Sequence, residues 1–250
     1  MIYFISFGSD INFELLSFEV LRSLSITYPN SFIKIYSTAE LPIEFQEYAT
    51  LYKRGFGYWI WKPYIINRTL ENLSEEDILV YVDGRSGMPE TGKPIRWFDT
   101  FLSQKNYDIA AWQMEHIEKQ WTTQELVSLL ITKDPSEVMN SGQYSATFHA
   151  WRVNNRTRHL AKSWLEFILK KPELCRDEPS RIPNDVSFRE NRHDQSVFSL
   201  LVKDFSESQK ISTMTLSDEV VFADNLHHGV KRRANECSPI DIFNLLNKER

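Results

Sequence analysis

Apolar and polar positions along this chain follow two periods, and the switches between them predict its elements. The run IYFISFG, residues 2 to 8, is apolar and closed by glycine, which reads as a buried strand whose end carries Gly8, Ser9 and Asp10. In NFELLSFEVLRSLSITYP, Phe13, Leu16, Val20 and Leu24 fall on one helical stripe, and Pro29 follows its end. SFIKIYST then alternates with the two-residue period of a strand. A strand, a helix and a strand at this spacing predict a βαβ unit and hence a parallel sheet.

Further along, a helix is predicted to start near Pro63, a residue suited to the first helical turn, with Ile66, Leu70 and Leu73 on one face. DILVYV is almost continuously apolar, as expected in the covered interior of a parallel sheet. YDIAAW and YSATFHAWRV read as two more strands. TRHLAKSWLEFILKK is an amphipathic helix through Leu160, Trp164, Phe167 and Ile168, and DQSVFSLLVKDF is a shorter one introduced by NRH. After about residue 205 the pattern loosens until the short apolar end IDIFNLL. The prediction is a single α/β domain with a mostly parallel central sheet over residues 1–205, completed by an irregular section over residues 206–250.

Composition narrows the function classes. The chain has 250 residues, ample for one large core. A net charge of −5 argues against a nucleic-acid partner, which needs a basic face. The aromatic share of 13% serves cores, but also stacks on bases and sugar rings. Cys175 and Cys237 lack metal-type spacing, which favours a reducing compartment. No apolar run reaches membrane-span length, and MIYFISFGSD lacks a basic leader region, so a soluble, cytoplasmic protein is expected.

Five places carry candidate chemistry, each with a plain structural alternative. Asp83 stands where DILVYV ends; its carboxylate suits a hard divalent cation, or else caps a turn. Asp194 is a catalytic or sugar-orienting acid beside Gln195, which can bond a sugar hydroxyl; alternatively Asp194 or Asn191 is a helix cap. In LHHGVKRR one histidine can complete a metal site begun by Asp83, and Lys231, Arg232 and Arg233 can grip phosphates, or form a solvated charge run. Glu115 and His116 follow a strand end as a base and its neighbour, or as a polar loop. Lys62 points at a phosphate, or packs its stem on tryptophan at the surface.

GFGYWIWKPYII, DILVYVDG and RHDQSVFSLL, at this separation, resemble a group of bacterial and large-DNA-virus glycosyltransferases of the GT-A fold. Members decorate capsular polysaccharide, lipopolysaccharide or viral capsid glycans. The resemblance spans about residues 1–205. It implies a nucleotide-sugar-binding α/β domain, a nucleoside-diphosphate sugar donor (UDP-linked by preference), a glycan acceptor, and Mn²⁺ or Mg²⁺ at an Asp-x-Asp-like element mapping to Asp83, Gly84 and Arg85. Arg85 stands where the second acid would be, and can itself neutralise a diphosphate. HHG-K is similar to the His-Gly-Lys element of glycogenin-like glycosyltransferases, which gives His228 to the metal and Lys231 to the diphosphate. Phe7, Gly8 and Ser9 would then line the base and ribose, with Lys62 beside the leaving diphosphate. In an inverting enzyme Asp194, or failing it Glu115, would deprotonate the acceptor hydroxyl; a retaining enzyme would use its acid near the donor sugar. A sugar-nucleotide pyrophosphorylase is disfavoured, because FGSDINFE has one glycine and no lysine. A degenerate GT-A domain that binds a glycan or protein without turnover is the non-enzyme alternative, and Arg85 is the feature that favours it.

Overall fold

The computed structural model describes residues 1–87 and 89–223. Six strands form one sheet in the order β2-β1-β3-β5-β4-β6, with β1 Ile2–Gly8, β2 Ser31–Ser37, β3 Ile78–Val82, β4 Ile109–Ile117, β5 Gly142–Arg152 and β6 Thr213–Leu216. β1 pairs in parallel with β2 and β3, and β4 with β6, whereas β5 runs against both of its neighbours. The expected α/β class with a mostly parallel sheet is therefore the observed one.

β3 shows why the strands were legible. All five of its residues are buried, and they divide by parity: Ile78, Val80 and Val82 enter one core, Leu79 and Tyr81 the other. Helices Trp61–Asn72, Asn155–Lys170 and Asp194–Ser208 close over the Leu79 side, and Ile11–Thr27 and Arg96–Ser103 over the Val80 side. A sheet covered on both faces can be apolar at every position. Ile11–Thr27 starts at Asp10, whose carboxylate caps the backbone N–H groups of Asn12 and Phe13.

Three local expectations change. The Pro63 helix begins two positions earlier, at Trp61, with the proline in its first turn. Helix Asp194–Ser208 has His193, not an acid or amide, at its N-cap, and Asp194 is its first helical residue. The section from 206 onward opens in regular structure: that helix runs to Ser208, β6 joins the sheet edge, and Asp218–Ala223 is helical, with Asp218 accepting the Trp112 ring N–H at 2.6 Å. Among the described residues no helix is long and apolar enough to cross a membrane.

Candidate functional site

β1 and β3 run out at Gly8 and Val82, and β5, arriving from the opposite direction, brings Ala146 and Thr147 to the same end of the sheet. The chain after β2 supplies the wall. Gly55, Phe56, Gly57, Tyr58 and Trp59 have φ of 57, 50, 84, 54 and 58°, so this segment makes one turn of left-handed helix. Tyr58 N–H donates to the Arg54 carbonyl at 2.6 Å and Trp59 N–H to the Gly55 carbonyl at 3.1 Å. Two glycines tolerate this handedness, but each of the three other residues costs about 1–2 kcal/mol. Fixed contacts offset that cost. The Arg54 guanidinium reaches both Asp177 oxygens at 2.9 Å, Tyr58 O–H donates to Asp177 at 2.9 Å, and the Trp59 ring stacks on His193 at 5.3 Å.

His193 is strained too, with φ 60°. Its Nδ1–H donates to the Cys175 carbonyl at 2.8 Å, burial lowers its pKa, and Nε2 faces Asp177 Oδ1 at 3.8 Å. Two strained segments thus meet ring on ring at one end of the sheet, where strain commonly marks function.

Lys62 enters between them from the first turn of its helix and is 2% exposed. Its ammonium donates to the Ala146 carbonyl at 3.0 Å and lies 3.3 Å from Asp83 Oδ1 and 3.2 Å from Asp194 Oδ2. Asp83 Oδ1 also accepts the Tyr81 O–H. One cation therefore serves two carboxylates. Burial pushes the Asp194 carboxyl up to about 6; Lys62 opposes the shift and the Asp83 carboxylate adds to it. Burial alone would lower the Lys62 pKa, but the two carboxylates outweigh it and keep the ammonium charged. Asp194 Oδ2 is buried and accepts no hydrogen bond among the described residues beyond its ion pair with Lys62.

Two cavities meet at this cluster. The larger, about 510 Å³, is walled by aromatics including Phe7, Phe13, Phe56, Trp59 and Trp61, with Lys53 and Arg85 at its polar side. Trp61 stacks on Phe7 with centroids 3.9 Å apart, and the Arg85 guanidinium lies 5.2 Å from the Phe13 ring. The smaller, about 310 Å³, sets Lys62, Asp194, Gln195, Arg54, His116 and His193 beside Trp112 and Met114. Trp59 and Asp83 line both.

Most of the expected residues converge here. Phe7, Ser9, Gly84 and Arg85 line the larger cavity, Lys62, Asp194 and Gln195 the smaller, and Asp83 both. Gly8 does not line either: a Cβ there would come within 2.5 Å of the Glu14 backbone, so its role is to let helix Ile11–Thr27 leave the strand closely. Glu115 is exposed on β4, not in a loop, and lines neither cavity; its neighbour His116 stacks on Trp121 at 5.2 Å and faces the smaller one. Lys62, expected beside a phosphate or at the surface, has its ammonium committed to two acids and a carbonyl. Asp83 does not cap its turn with its side chain, because the backbone carbonyl does so by accepting Ser86 N–H at 2.9 Å. His228 and Lys231 lie outside the described residues. Sequence reasoning missed Lys53, Phe56, Trp59 and His193; the alternating glycines of GFGYW were the available signal for the first wall.

For a divalent cation, the described residues contain no group of three His, Cys, Asp or Glu side chains. Asp83 offers one oxygen, Oδ2, that makes no hydrogen bond among the described residues, on a side chain 19% exposed to both cavities. That fits an ion held chiefly by ligand phosphates and water, the usual situation of Mg²⁺, and not a cage built by the protein.

No family model and no curated protein matches the sequence. Among solved structures, the chain is similar to a glycosyltransferase involved in the glycosylation of the major capsid of PBCV-1, at 13% identity and a TM-score of 0.49, over 94% of this chain and 95% of that one. It is similar to the galactosyltransferase LgtC in complex with donor and acceptor sugar analogs, at 10% identity and 0.45, over 95% and 84%. It is also similar to glucosyl-3-phosphoglycerate synthase from Mycobacterium tuberculosis in complex with Mn²⁺, UDP-glucose and phosphoglyceric acid, at 12% identity and 0.41, over 99% and 76%. Likenesses of this size concern the course of the chain and say nothing about which residues act.

Proposed function

We propose that this chain is a glycosyltransferase that moves a sugar from a nucleoside-diphosphate sugar, UDP-linked, to a hydroxyl of a glycan acceptor. The observation that carries this reading is the pair of cavities sharing Asp83 and Trp59, one aromatic and one lined by charges of both signs. A nucleoside diphosphate has two ends of matching chemistry. The base stacks among Phe7, Phe13 and Trp61, and the diphosphate reaches Arg85 and Lys53, which make no ion pair among the described residues. The sugar then passes Asp83 into the smaller cavity, where Asp194 and Gln195 wait.

Departure of the diphosphate builds negative charge in the larger cavity, and the cations that line it lower the barrier. Asp83 would hold a divalent ion, which when bound supplies further positive charge to the leaving group. Asp194, which lines the smaller cavity, accepts the hydrogen of the attacking hydroxyl, and a carboxyl pKa of about 6 suits it to take that proton near neutrality. Attack from the side opposite the diphosphate gives inversion. Lys62 keeps Asp194 and Asp83 on one centre and prevents their repulsion from opening the site.

Calorimetric titration with UDP, GDP, CDP and dTDP, with and without Mn²⁺, followed by nuclear magnetic resonance of the products from UDP-hexoses, tests this. Binding of one diphosphate and a product of inverted anomeric configuration is the expected result. A retained configuration removes Asp194 as the base, and silence towards all four nucleotides removes the transferase reading in favour of a binding module.

A further inference from the structure

Behind the smaller cavity lies a second buried charge pair that the proposed chemistry does not use. Glu118 is fully buried, and its Oε2 accepts from Lys203 Nζ and Ser199 O–H, each at 2.5 Å. Its Oε1 accepts Thr122 O–H at 2.5 Å and the Gln143 amide at 3.0 Å. The rest of the pocket around that amide also consists of acceptors. Thr122 Oγ1 stands 2.9 Å away with its proton already given to Glu118, and Ser196 Oγ stands 3.3 Å away with its proton given to the Trp121 carbonyl at 2.8 Å.

An ionised carboxylate can only accept, so Gln143 must turn its NH₂ towards Glu118 and its carbonyl oxygen away. That oxygen accepts from the Gln195 amide at 2.6 Å, which obliges Gln195 to present its NH₂ there and its Oε1 to the Ala146 N–H, at 3.2 Å. The Ala146 carbonyl in turn receives the Lys62 ammonium at 3.0 Å. A chain of hydrogen bonds, each donated towards Glu118, therefore runs from Lys62 through Ala146, Gln195 and Gln143 to Glu118, which Lys203 meets from the other side. Lys62, Ala146 and Gln195 line the cavity, while Gln143, Glu118 and Lys203 lie behind it.

We infer that Glu118 is a positioning residue that fixes the polarity of the Gln195 amide, and so decides which atoms that side chain shows to the sugar in the smaller cavity. This rests on the transferase reading above for its consequence, but not for its existence. Flipping Gln195 would exchange the places of its nitrogen and oxygen, and so donor for acceptor towards a bound hydroxyl; the Ala146 N–H and, two links away, the Glu118 carboxylate both oppose it.

The test compares Glu118→Gln/Lys203→Met, which removes both charges so that no lone buried ion remains, with Gln143→Leu, which cuts the chain without touching charge. In ¹⁵N spectra of the full chain, the Gln195 side-chain amide is expected to be protected from solvent exchange in the wild type and to lose that protection in both variants. Transfer is expected to fall ten- to a hundredfold in kcat with UDP affinity by calorimetry unchanged, the mark of misorientation and not of lost binding. A lowered melting point with the Gln195 signals and kcat unmoved overturns the inference and makes the network purely structural. If the wild type transfers no sugar, the transferase reading falls, and the amide spectra still decide the relay.

Discussion

Where β4 begins, Asp108 is 3% exposed; at the other end of the sheet, Asp194 is 4% exposed. Burial penalises both charges alike, yet the protein answers in opposite ways. Asp108 accepts from Arg156 at 2.7 and 3.1 Å, from Asn154 at 2.7 Å and from the Ser212 N–H at 2.9 Å. Burial would raise its pKa, but these partners hold it below the ordinary carboxylate value. Asp194 shares one ammonium with Asp83 and keeps a buried oxygen otherwise unbonded, and its pKa is raised to about 6. The lesson is that a buried charge with every lone pair answered belongs to the architecture, while one left short is waiting for something that comes and goes.

The largest effect that could break this contrast is on rate. Asp194→Asn is expected to lower sugar transfer by about 10²–10⁴-fold with a folded protein by circular dichroism; a loss below tenfold would make Asp194 a bystander. Next is Lys62→Met, which leaves two acids facing each other without their cation and is expected to cost about 3–5 kcal/mol in urea unfolding. Asp108→Asn should do the reverse of Asp194→Asn, keeping activity per folded molecule while losing about 1–3 kcal/mol of stability.

The pH profiles sharpen the contrast further, because the two acids carry opposite signs. Asp108 has a folded pKa below its unfolded value of 3.8, so its contribution is present above pH 3.8 and is lost as pH falls through the lower folded value. Asp194 has a folded pKa above 3.8, so the native state holds a proton the unfolded chain has released; stability is lost as pH rises from 3.8 to about 6. Unfolding measured across that window should slope downward by at most about 1.4 kcal/mol per pH unit in the wild type, and the Asp194 share should vanish in Asp194→Asn. Smallest of all, Glu115→Gln is expected to leave transfer within about twofold and stability within about 0.5 kcal/mol, since that side chain is exposed and outside both cavities.

Much of the fold was legible because burial writes itself into period. β1, β3 and the long helices carry clean apolar runs or stripes, and Asp83 and Asp194 stood out as acids at the margins of such runs. β6 did not, since TMTL is four residues at a sheet edge with only Leu216 buried. Ile43–Leu51 did not either: its first and last apolar residues, Ile43 and Leu51, are exposed, which blurs the stripe. Within the site, the missing information was pairing. Lys62 could be seen as a lysine among aromatics, but nothing local says that it meets two acids from β3 and a distant helix. That is decided by the packing of helix Trp61–Asn72 across the sheet. Gln143 and Glu118 were invisible for the same reason, because hydrogen-bond direction is a property of the assembled network.

The turn at residues 55–59 has a consequence in the language of chirality. Among the described residues it is the only run of consecutive positive φ values, a short length of opposite-handed backbone set into an otherwise right-handed molecule. The steric clash that drives L-residues out of that region draws their mirror images into it. A chemically assembled chain with D-alanine at Gly57, where φ is 84°, should therefore keep this wall and fold with less entropy to lose, while L-alanine at the same position is strained. Among the described residues, the wall shared by the two cavities is the one run of the chain where the unnatural enantiomer is the better fit.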